Sequence, residues 1–212
     1  MNDVRPASLA DRELLAHIAA TGFYDDPVLS WVLPDDGRRT AQLRFLFGGL
    51  VDDMLPDRGA VDLAGRACAA FWRDPTFEYG RAADQLDESL VDAPDEEPDE
   101  EPAEEPDGQP LFSADDLERL AILGDVMLEN HPHESHWYLN VVSTLPSHQG
   151  TGLGSAALDP GLTRCDADGR SAYLESTNPR NRTLYRRKGF VDAGEIQIPD
   201  GPAMLQMWRD PR

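Results

Sequence analysis

The chain has 212 residues, of which 40 % are hydrophobic, and this length and composition predict one substantial core in a single domain over residues 1–212. Its net charge of −21 argues against nucleic acid as a partner, because phosphate backbones require a basic face. No apolar run approaches the ~20 residues that span a bilayer, and no signal-peptide pattern opens the chain. Because Cys68 and Cys165 form neither a metal-binding nor a disulfide pattern, we expect a cytoplasmic protein that binds no metal and no membrane.

In the N-terminal half, turn signals separate segments with helical hydrophobic spacing from segments rich in strand-forming residues. The predicted elements are a short strand over Val4–Ser8, a helix capped by Ser8, a second helical region from Asp26, a turn at Pro56–Gly59, and a hairpin of Ala60–Leu63 and Arg66–Trp72. Leu43, Phe47 and Val51 make the end of the second helical region apolar, and we expect this end to be buried.

The composition changes abruptly from Asp92 to Pro110, where the chain is almost entirely proline, aspartate and glutamate. A proline stands at every fourth position, which prevents a regular helix, and the ten acids between Asp92 and Asp107 have no base to pair with. Residues 92–110 therefore predict a disordered acidic insert within the domain. It is interpreted either as a tolerated surface loop or as an acidic interaction segment.

Regular structure is predicted again from Ser113 to the C-terminus. The elements are a helix from Ser113 to His131, a strand over Trp137–Leu145, a helix over Ser155–Asp168, a strand over Ser171–Ser176, a helix over Arg182–Lys188 closed by Gly189, and strands over Phe190–Ile198 and Met204–Trp208. This alternation of strands and helices predicts a mixed α/β domain.

The segment from Pro146 to Ser155 follows a predicted strand and opens a predicted helix. Its glycines, Gly150, Gly152 and Gly154, remove side chains where the backbone turns, so that several N–H groups can converge on one anion. The N-terminal end of the helix adds its positive dipole. A diphosphate is the natural ligand for such a loop.

Other sites that use glycine-rich loops fit this segment less well. A P-loop is excluded, because no Gly-Lys-Ser/Thr follows the glycines. A Rossmann dinucleotide site needs GxGxxG and an acid ~20 residues further on. Glu175 lies at about that distance, but the glycine spacing differs. A glycine-rich turn without a ligand is the third interpretation.

Two motifs carry a resemblance to a known superfamily. Gln149-x-x-Gly152-x-Gly154 resembles the pyrophosphate-binding motif of the general N-acetyltransferase (GNAT) superfamily, and Asn178-Pro179-Arg180-Asn181-x-x-x-Tyr185-x-x-x-Gly189-Phe190 resembles its second signature. Within the superfamily the chain is most similar to puromycin N-acetyltransferase and its bacterial relatives. The shared pieces include Trp137-Tyr138-Leu139, Gly152-Leu153-Gly154-Ser155-Ala156, Tyr173-Leu174-Glu175 and Pro199-Asp200-Gly201-Pro202.

The resemblance implies a twisted mixed sheet, flanked by helices, that splays between strands Tyr138–Thr144 and Ala172–Ser176. It also implies acetyl-CoA as the cosubstrate, with pantetheine in the gap of the sheet and pyrophosphate on the loop amides. A parted sheet leaves unpaired N–H and C=O groups that an amide-rich molecule can satisfy. The implied cofactor-binding residues are Val142, Ser143, Thr144, Gln149, Gly150, Thr151, Gly152, Leu153, Gly154, Ser155, Asn178 and Asn181. For Asn178 and Asn181, which are expected to bond the pantetheine arm, the alternative is a cap on the helix that carries Tyr185.

One residue is the candidate for the general acid, and two are candidates for the base. Tyr185 matches the usual general acid of the superfamily and is expected to protonate the departing thiolate; the alternative is a core aromatic residue. Glu175 is the candidate base, because its predicted strand borders the cleft; the alternative is a carboxylate that orients or binds the acceptor. His136 is a second candidate for the base.

Several further residues are expected near the ligands. Arg180, Arg182, Arg186, Arg187 and Lys188 form a basic cluster in an acidic protein, and one or two of them are expected to attract the CoA phosphates. Trp137 and Trp31 are predicted to line an acceptor pocket, whereas Phe45 and Trp72 are expected in the core.

The function predicted from the resemblance is acetyl transfer from acetyl-CoA to a primary amine of a small molecule. One alternative is a peptide or protein N-acetyltransferase, for which an open acidic groove is expected instead of a closed aromatic pocket. The other is a non-catalytic acetyl-CoA-binding regulatory module. For the oligomeric state, a homodimer is the default expectation.

Overall fold

A computed structural model of the chain describes residues 3–55, 59–77 and 110–212. The predicted insert, except Pro110, and the predicted turn, except Gly59, lie outside the described residues. The strands are β1 (Val4–Pro6), β2 (Ala60–Ala64), β3 (Cys68–Arg73), β4 (Trp137–Thr144), β5 (Ala172–Ser176), β6 (Val191–Gln197) and β7 (Ala203–Arg209). The helices are α1 (Arg12–Gly22), α2 (Pro27–Val32), α3 (Asp36–Met54), α4 (Ala114–Asn130), α5 (Leu153–Ala167) and α6 (Arg182–Arg187).

The predicted mixed α/β fold is confirmed, and the helix starts follow from local chemistry. Asp26 accepts hydrogen bonds from the first amides of α2, and Ser113 caps α4 in the same way. The predicted second helical region is two helices, because Pro34 and the cap Asp35 interrupt it. No helix in residues 3–55, 59–77 and 110–212 has the length and hydropathy that a membrane span requires.

The strands form one sheet in the order β1-β2-β3-β4-β5-β7-β6, in which only the β4–β5 pair is parallel. This pair is joined at just two positions, Trp137–Ala172 and Tyr138–Tyr173. Beyond Tyr138 the described strands part, so the β5-facing backbone edge of residues 139–144 has no strand partner. The predicted splay of the sheet is therefore confirmed.

The two faces of the sheet are covered by different helices. α1, α2 and α3 pack on one face, where Leu15, Val32 and Leu43 meet Phe71. α5 covers the opposite face, where Leu158 packs on residues that include Trp72. Two adjoining cavities lie in the region where the N-terminal helices, the parted strands and the start of α5 come together.

An ion pair fixes the N-terminal strand to the first helical turn. Arg5 donates hydrogen bonds of 2.8 and 2.6 Å to the carboxylate of Asp11, which also accepts the Ser8 N–H at 3.0 Å. The hydrogen bonds from Arg5, opposed by partial burial, hold the pKa of Asp11 well below its ordinary value of 3.8.

Asp11→Asn is expected to lower the urea midpoint of unfolding at pH 7, because the ionised carboxylate is stabilised only in the folded state. The difference from the parent should shrink as the pH falls below 3.8, where the unfolded carboxyl becomes protonated first. Urea titrations at pH 7 and pH 3 measure this, with the exposed Asp125→Asn as the control. A difference that grows at pH 3 would contradict the assignment.

Candidate active site

The loop between β4 and α5 has the backbone geometry expected of an anion site. Gly150 and Gly152 have φ of 75° and 89°, a region that other residues rarely adopt, and Gly152 is the N-cap of α5. The Thr151 hydroxyl donates to the carbonyl of His148 at 2.6 Å and closes the turn. The first hydrogen bond of the helix runs from Ala156 N–H to Gly152 O, so the amides of residues 153–155 precede it and have no intrahelical acceptor.

A cleft of about 460 Å³ opens over this loop. It is bounded by the end of α1, by β4 past the point where the sheet parts, and by the segment that leads into α6. Every predicted cofactor-binding residue except Thr151 lines it: Val142, Ser143, Thr144, Gln149, Gly150, Gly152, Leu153, Gly154, Ser155, Asn178 and Asn181. The structure thus brings the two sequence motifs to one cleft.

The side chains of the cleft residues differ in what they bind. Ser143 donates its hydroxyl to the carbonyl of Ile18 at 2.8 Å, which ties β4 to α1. The amide group of Gln149 donates to the Thr144 carbonyl at 3.3 Å. Asn178 accepts the backbone N–H of Arg180 at 3.1 Å and caps the short turn before α6. Gln149 thus ties the loop to β4, whereas Ser143 and Asn178 hold β4 and the turn before α6 in place.

The basic cluster divides between structural and cleft-facing members. Arg186 pairs with Asp192 at 2.7 Å and Lys188 pairs with Asp159, so both are held in surface ion pairs. Arg180 and Arg187 line the cleft. The cleft therefore carries cationic side chains and helix-terminal amides in a protein of net charge −21, which favours a polyanionic ligand at this place.

A smaller cavity of about 80 Å³ lies where β4 and β5 part. It shares Phe23, Val142 and Asn181 with the cleft, and the two spaces adjoin there. The predicted catalytic residues Tyr185 and Glu175 both line it. Its other lining residues are Met127, Tyr138, Leu139, Asn140, Leu174 and Thr177.

Tyr185 is buried at the base of this cavity and packs edge-on against Phe190, with ring centroids 6.1 Å apart. Burial raises the pKa of Tyr185 above its ordinary value of 10, and the nearby Asp26 and Cys68 raise it further. The phenol is therefore protonated at neutral pH and can donate a proton.

Glu175 projects from β5 with 3 % of its side chain exposed. Its Oε1 lies 3.7 Å from Nδ1 of His131, the residue that ends α4. The His131 ring packs at right angles on Tyr138 and Tyr173, with centroid distances of 5.0 and 5.4 Å. The carboxylate therefore lies between the small cavity and a buried imidazole.

His136, the second candidate for the base, has a different position. Its Nδ1 lies 2.5 Å from the carbonyl oxygen of Glu134, and its ring packs on Tyr173 and Trp208. Burial lowers the pKa of His136. It lines neither the cleft nor the small cavity.

Asp26, for which the sequence predicted no role, is buried at the cap of α2 and lines the cleft. Its Oδ2 accepts the hydroxyl of Thr177 at 2.6 Å, so the carboxylate joins the N-terminal helices to the segment after β5. Burial raises the pKa of Asp26 above 3.8, opposed by hydrogen bonds from Thr177 and the α2 amides.

The two tryptophans predicted in an acceptor pocket have structural contacts instead. Trp137 lies in the core beneath α5 and donates its indole N–H to Asp168 at 2.9 Å. Trp31 donates to the carbonyl of Asp200 at 2.9 Å and so holds the β6–β7 turn against α2. Neither lines the cleft or the small cavity. Trp72 is in the core as expected, whereas Phe45 is half-exposed against Phe112.

Comparison with known proteins agrees with this geometry. Residues 67–190, more than half of the chain, match the model of the Acetyltransferase (GNAT) family. An uncharacterized N-acetyltransferase of Schizosaccharomyces pombe is 37 % identical over 74 residues, which is 35 % of this chain and 29 % of the length of that relative.

Solved structures extend the similarity over the whole chain. Histone acetyltransferase HPA2 and related acetyltransferase from Corynebacterium glutamicum is 28 % identical, with a TM-score of 0.68 over 100 % of this chain and 97 % of that chain. Mosquito arylalkylamine N-acetyltransferase like 5b, 11 % identical, has a TM-score of 0.59 over 99 % of this chain and 100 % of that chain and shares the fold alone. With both motifs on one cleft and the family model covering both motifs, this chain belongs to the GNAT family of acetyltransferases.

Proposed function

We propose that the protein transfers the acetyl group of acetyl-CoA to the primary amine of a small molecule. The observation that carries the proposal is the continuity of two spaces. A cleft lined by helix-terminal amides and unpaired strand backbone leads, through Val142 and Asn181, to a small cavity that holds a protonated phenol and a carboxylate.

The residues of the cleft fit acetyl-CoA. The amides of residues 153–155 and the side chains of Arg180 and Arg187 would hold the diphosphate and phosphate groups. The free edge of β4 at residues 142–144 matches the amides of pantetheine, since it presents backbone donors and acceptors without a strand partner. Asn178 and Asn181 stand beside that path. When bound, the thioester supplies an already activated acetyl group.

Two side chains, Glu175 and Tyr185, accept and donate the protons that the reaction transfers. Glu175 takes one proton from the acceptor's ammonium group, which frees the nitrogen lone pair for attack on the thioester carbonyl carbon. Tyr185 gives its phenolic proton to the departing sulfur as the C–S bond breaks, and the phenolate regains a proton from the substituted nitrogen. Amide and thiol are formed and one proton reaches solvent from Glu175. A backbone N–H of Val142 or Ser143 polarises the carbonyl.

The size of the cavity supports a small acceptor. At about 80 Å³, walled by Phe23, Met127 and Tyr138, it accommodates the reacting group of an amine and little else. A peptide or protein acceptor, the alternative predicted from the sequence, would require an open acidic groove at this place. The name of the C. glutamicum neighbour, a histone acetyltransferase and related acetyltransferase, points to that alternative. The resemblance of its sequence pieces to puromycin N-acetyltransferase supports an amphipathic small amine. The buried cysteines Cys68 and Cys165, which form no disulfide, support a reducing cytoplasm as the location.

Calorimetric titration with acetyl-CoA and with NAD tests the first requirement of the proposal, which is that the protein binds acetyl-CoA. We expect binding of acetyl-CoA alone, and release of free thiol when the protein and acetyl-CoA are mixed with a panel of primary amines. Binding without turnover of any amine or of peptides with free N-termini would favour the non-catalytic module. Acetylation of the peptides in preference to the amines would favour a protein acceptor, and a folded protein that binds no acetyl-CoA would refute the proposal.

A further inference from the structure

The strand β4 is irregular next to the small cavity. Phe71 of β3 pairs with Val141, whereas the next residue, Trp72, pairs with Leu139, so Asn140 is an extra residue in the strand. Such a bulge changes the side to which the following side chains point. Leu139 lies in the core beneath α5, whereas Val141 lies in the core beneath α1. Asn140, placed between them, lines the small cavity.

Two oxygen atoms at this cavity are buried without a hydrogen-bond partner in the described part of the chain. They are Oδ1 of Asn140 and Oε1 of Glu175. Both residues line the same space of about 80 Å³. Because a buried polar atom without a partner is destabilising, two such acceptors at one cavity would be satisfied by a ligand that brings hydrogen-bond donors.

The charge of the surroundings defines the donor. None of the described residues that line the small cavity is an arginine or a lysine. Glu175 contributes a carboxylate, and a second one, Asp26, accepts the hydroxyl of the lining residue Thr177. Nδ1 of His131 lies 3.7 Å from Oε1 of Glu175, and His131 is not among the residues that line the cavity. An ammonium group, which has N–H donors and a positive charge, complements two oxygen acceptors beside carboxylates.

We propose that Asn140 is a specificity-determining residue that, together with Glu175, binds the acceptor as a primary ammonium group. Two of its N–H groups donate to Oδ1 of Asn140 and Oε1 of Glu175, while Met127 and Leu139 cover the adjoining carbon. The substrate class is a primary amine, because N-methylation leaves only the two N–H groups that these acceptors use and adds volume in a space of about 80 Å³. This inference rests on the proposed acetyl transfer.

The test uses the full chain, acetyl-CoA, and ethylamine with N-methylethylamine as probes small enough for the cavity. We expect Asn140→Leu to lower kcat/KM for ethylamine about 10- to 100-fold, since one hydrogen bond to a charged group is lost. Its KM for acetyl-CoA should stay unchanged. Asn140→Asp keeps an oxygen acceptor and should retain more activity than Asn140→Leu. Asn130→Leu, at the exposed end of α4, is the matched control.

The parent protein provides a second measurement that does not depend on the folding of a variant. It should prefer ethylamine to N-methylethylamine by about tenfold or more, and Asn140→Leu should reduce that preference. Equal use of the two amines by the parent, or an unchanged kcat/KM in folded Asn140→Leu, would overturn the inference while acetyl transfer stands. Absence of acetyl-CoA binding in the parent would refute the proposed function itself, and calorimetry distinguishes that result.

Discussion

Tyr185→Phe is expected to lower kcat for acetyl transfer by about a hundredfold or more, with the KM for acetyl-CoA nearly unchanged. The phenol is buried at the small cavity, and its raised pKa keeps the proton available at neutral pH. Phenylalanine keeps the ring and its edge-on packing against Phe190, and removes only the proton donor. Steady-state thiol release, with both substrates varied, measures the two constants.

The matched control is Tyr24→Phe. Tyr24 donates its hydroxyl to the carbonyl of Asp36 at 3.2 Å, at the start of α3, and lines neither cavity. This substitution should leave kcat unchanged. If Tyr185→Phe keeps the parent's kcat while the chemical step limits turnover, Tyr185 is a core aromatic residue and another group protonates the thiolate.

Gly154→Asp is expected to weaken acetyl-CoA binding by about a hundredfold or more, because it places a carboxylate among the amides proposed to hold the diphosphate. Space is available for the side chain: a Cβ on Gly154 would lie 3.6 Å from Leu184 Cδ2 and Thr144 Oγ1, at ordinary contact distance. An acid in the first turn of a helix also stabilises that helix. The thermal midpoint should therefore be maintained while affinity is lost, which calorimetry and thermal unfolding measure separately.

Gly49→Asp controls for the added negative charge. Gly49 is exposed on α3, and a Cβ there meets nothing within 4 Å. This variant has the same net charge as Gly154→Asp and should bind acetyl-CoA like the parent. Equal weakening in both variants would show that overall charge is responsible, and normal binding by Gly154→Asp would remove the diphosphate from the start of α5.

The glycine loop and the second motif could be predicted because their chemistry is local. Gly150 and Gly152 stand at positive φ where the loop turns, and a sequence shows such glycines directly. The helix that carries Tyr185 is likewise preceded by a short turn capped by Asn178. The splay of the sheet was expected from the resemblance, since it depends on how two distant strands pair.

The contacts between distant segments could not be predicted. Asp26 accepts the hydroxyl of Thr177, 151 positions along the chain, and no periodicity connects these residues. Asn140 faces the cavity because of a bulge, which only the register of β3 against β4 reveals. A polar residue between Leu139 and Val141 was the available signal. Trp137 was predicted to line a pocket because it is aromatic, but the direction of its side chain places it in the core.

Because β4 and β5 pair at only two positions, the sheet consists of two parts, β1–β4 and β5–β7, that are joined there. The hydrogen bond from Thr177 to Asp26 connects the two parts near the cleft. A ligand that hydrogen-bonds to the free edge of β4 in one part and packs against the other part would hold the two parts together. We therefore expect cosubstrate binding to fix the two parts of the sheet relative to each other, so that the acceptor meets a cavity whose walls are already in place.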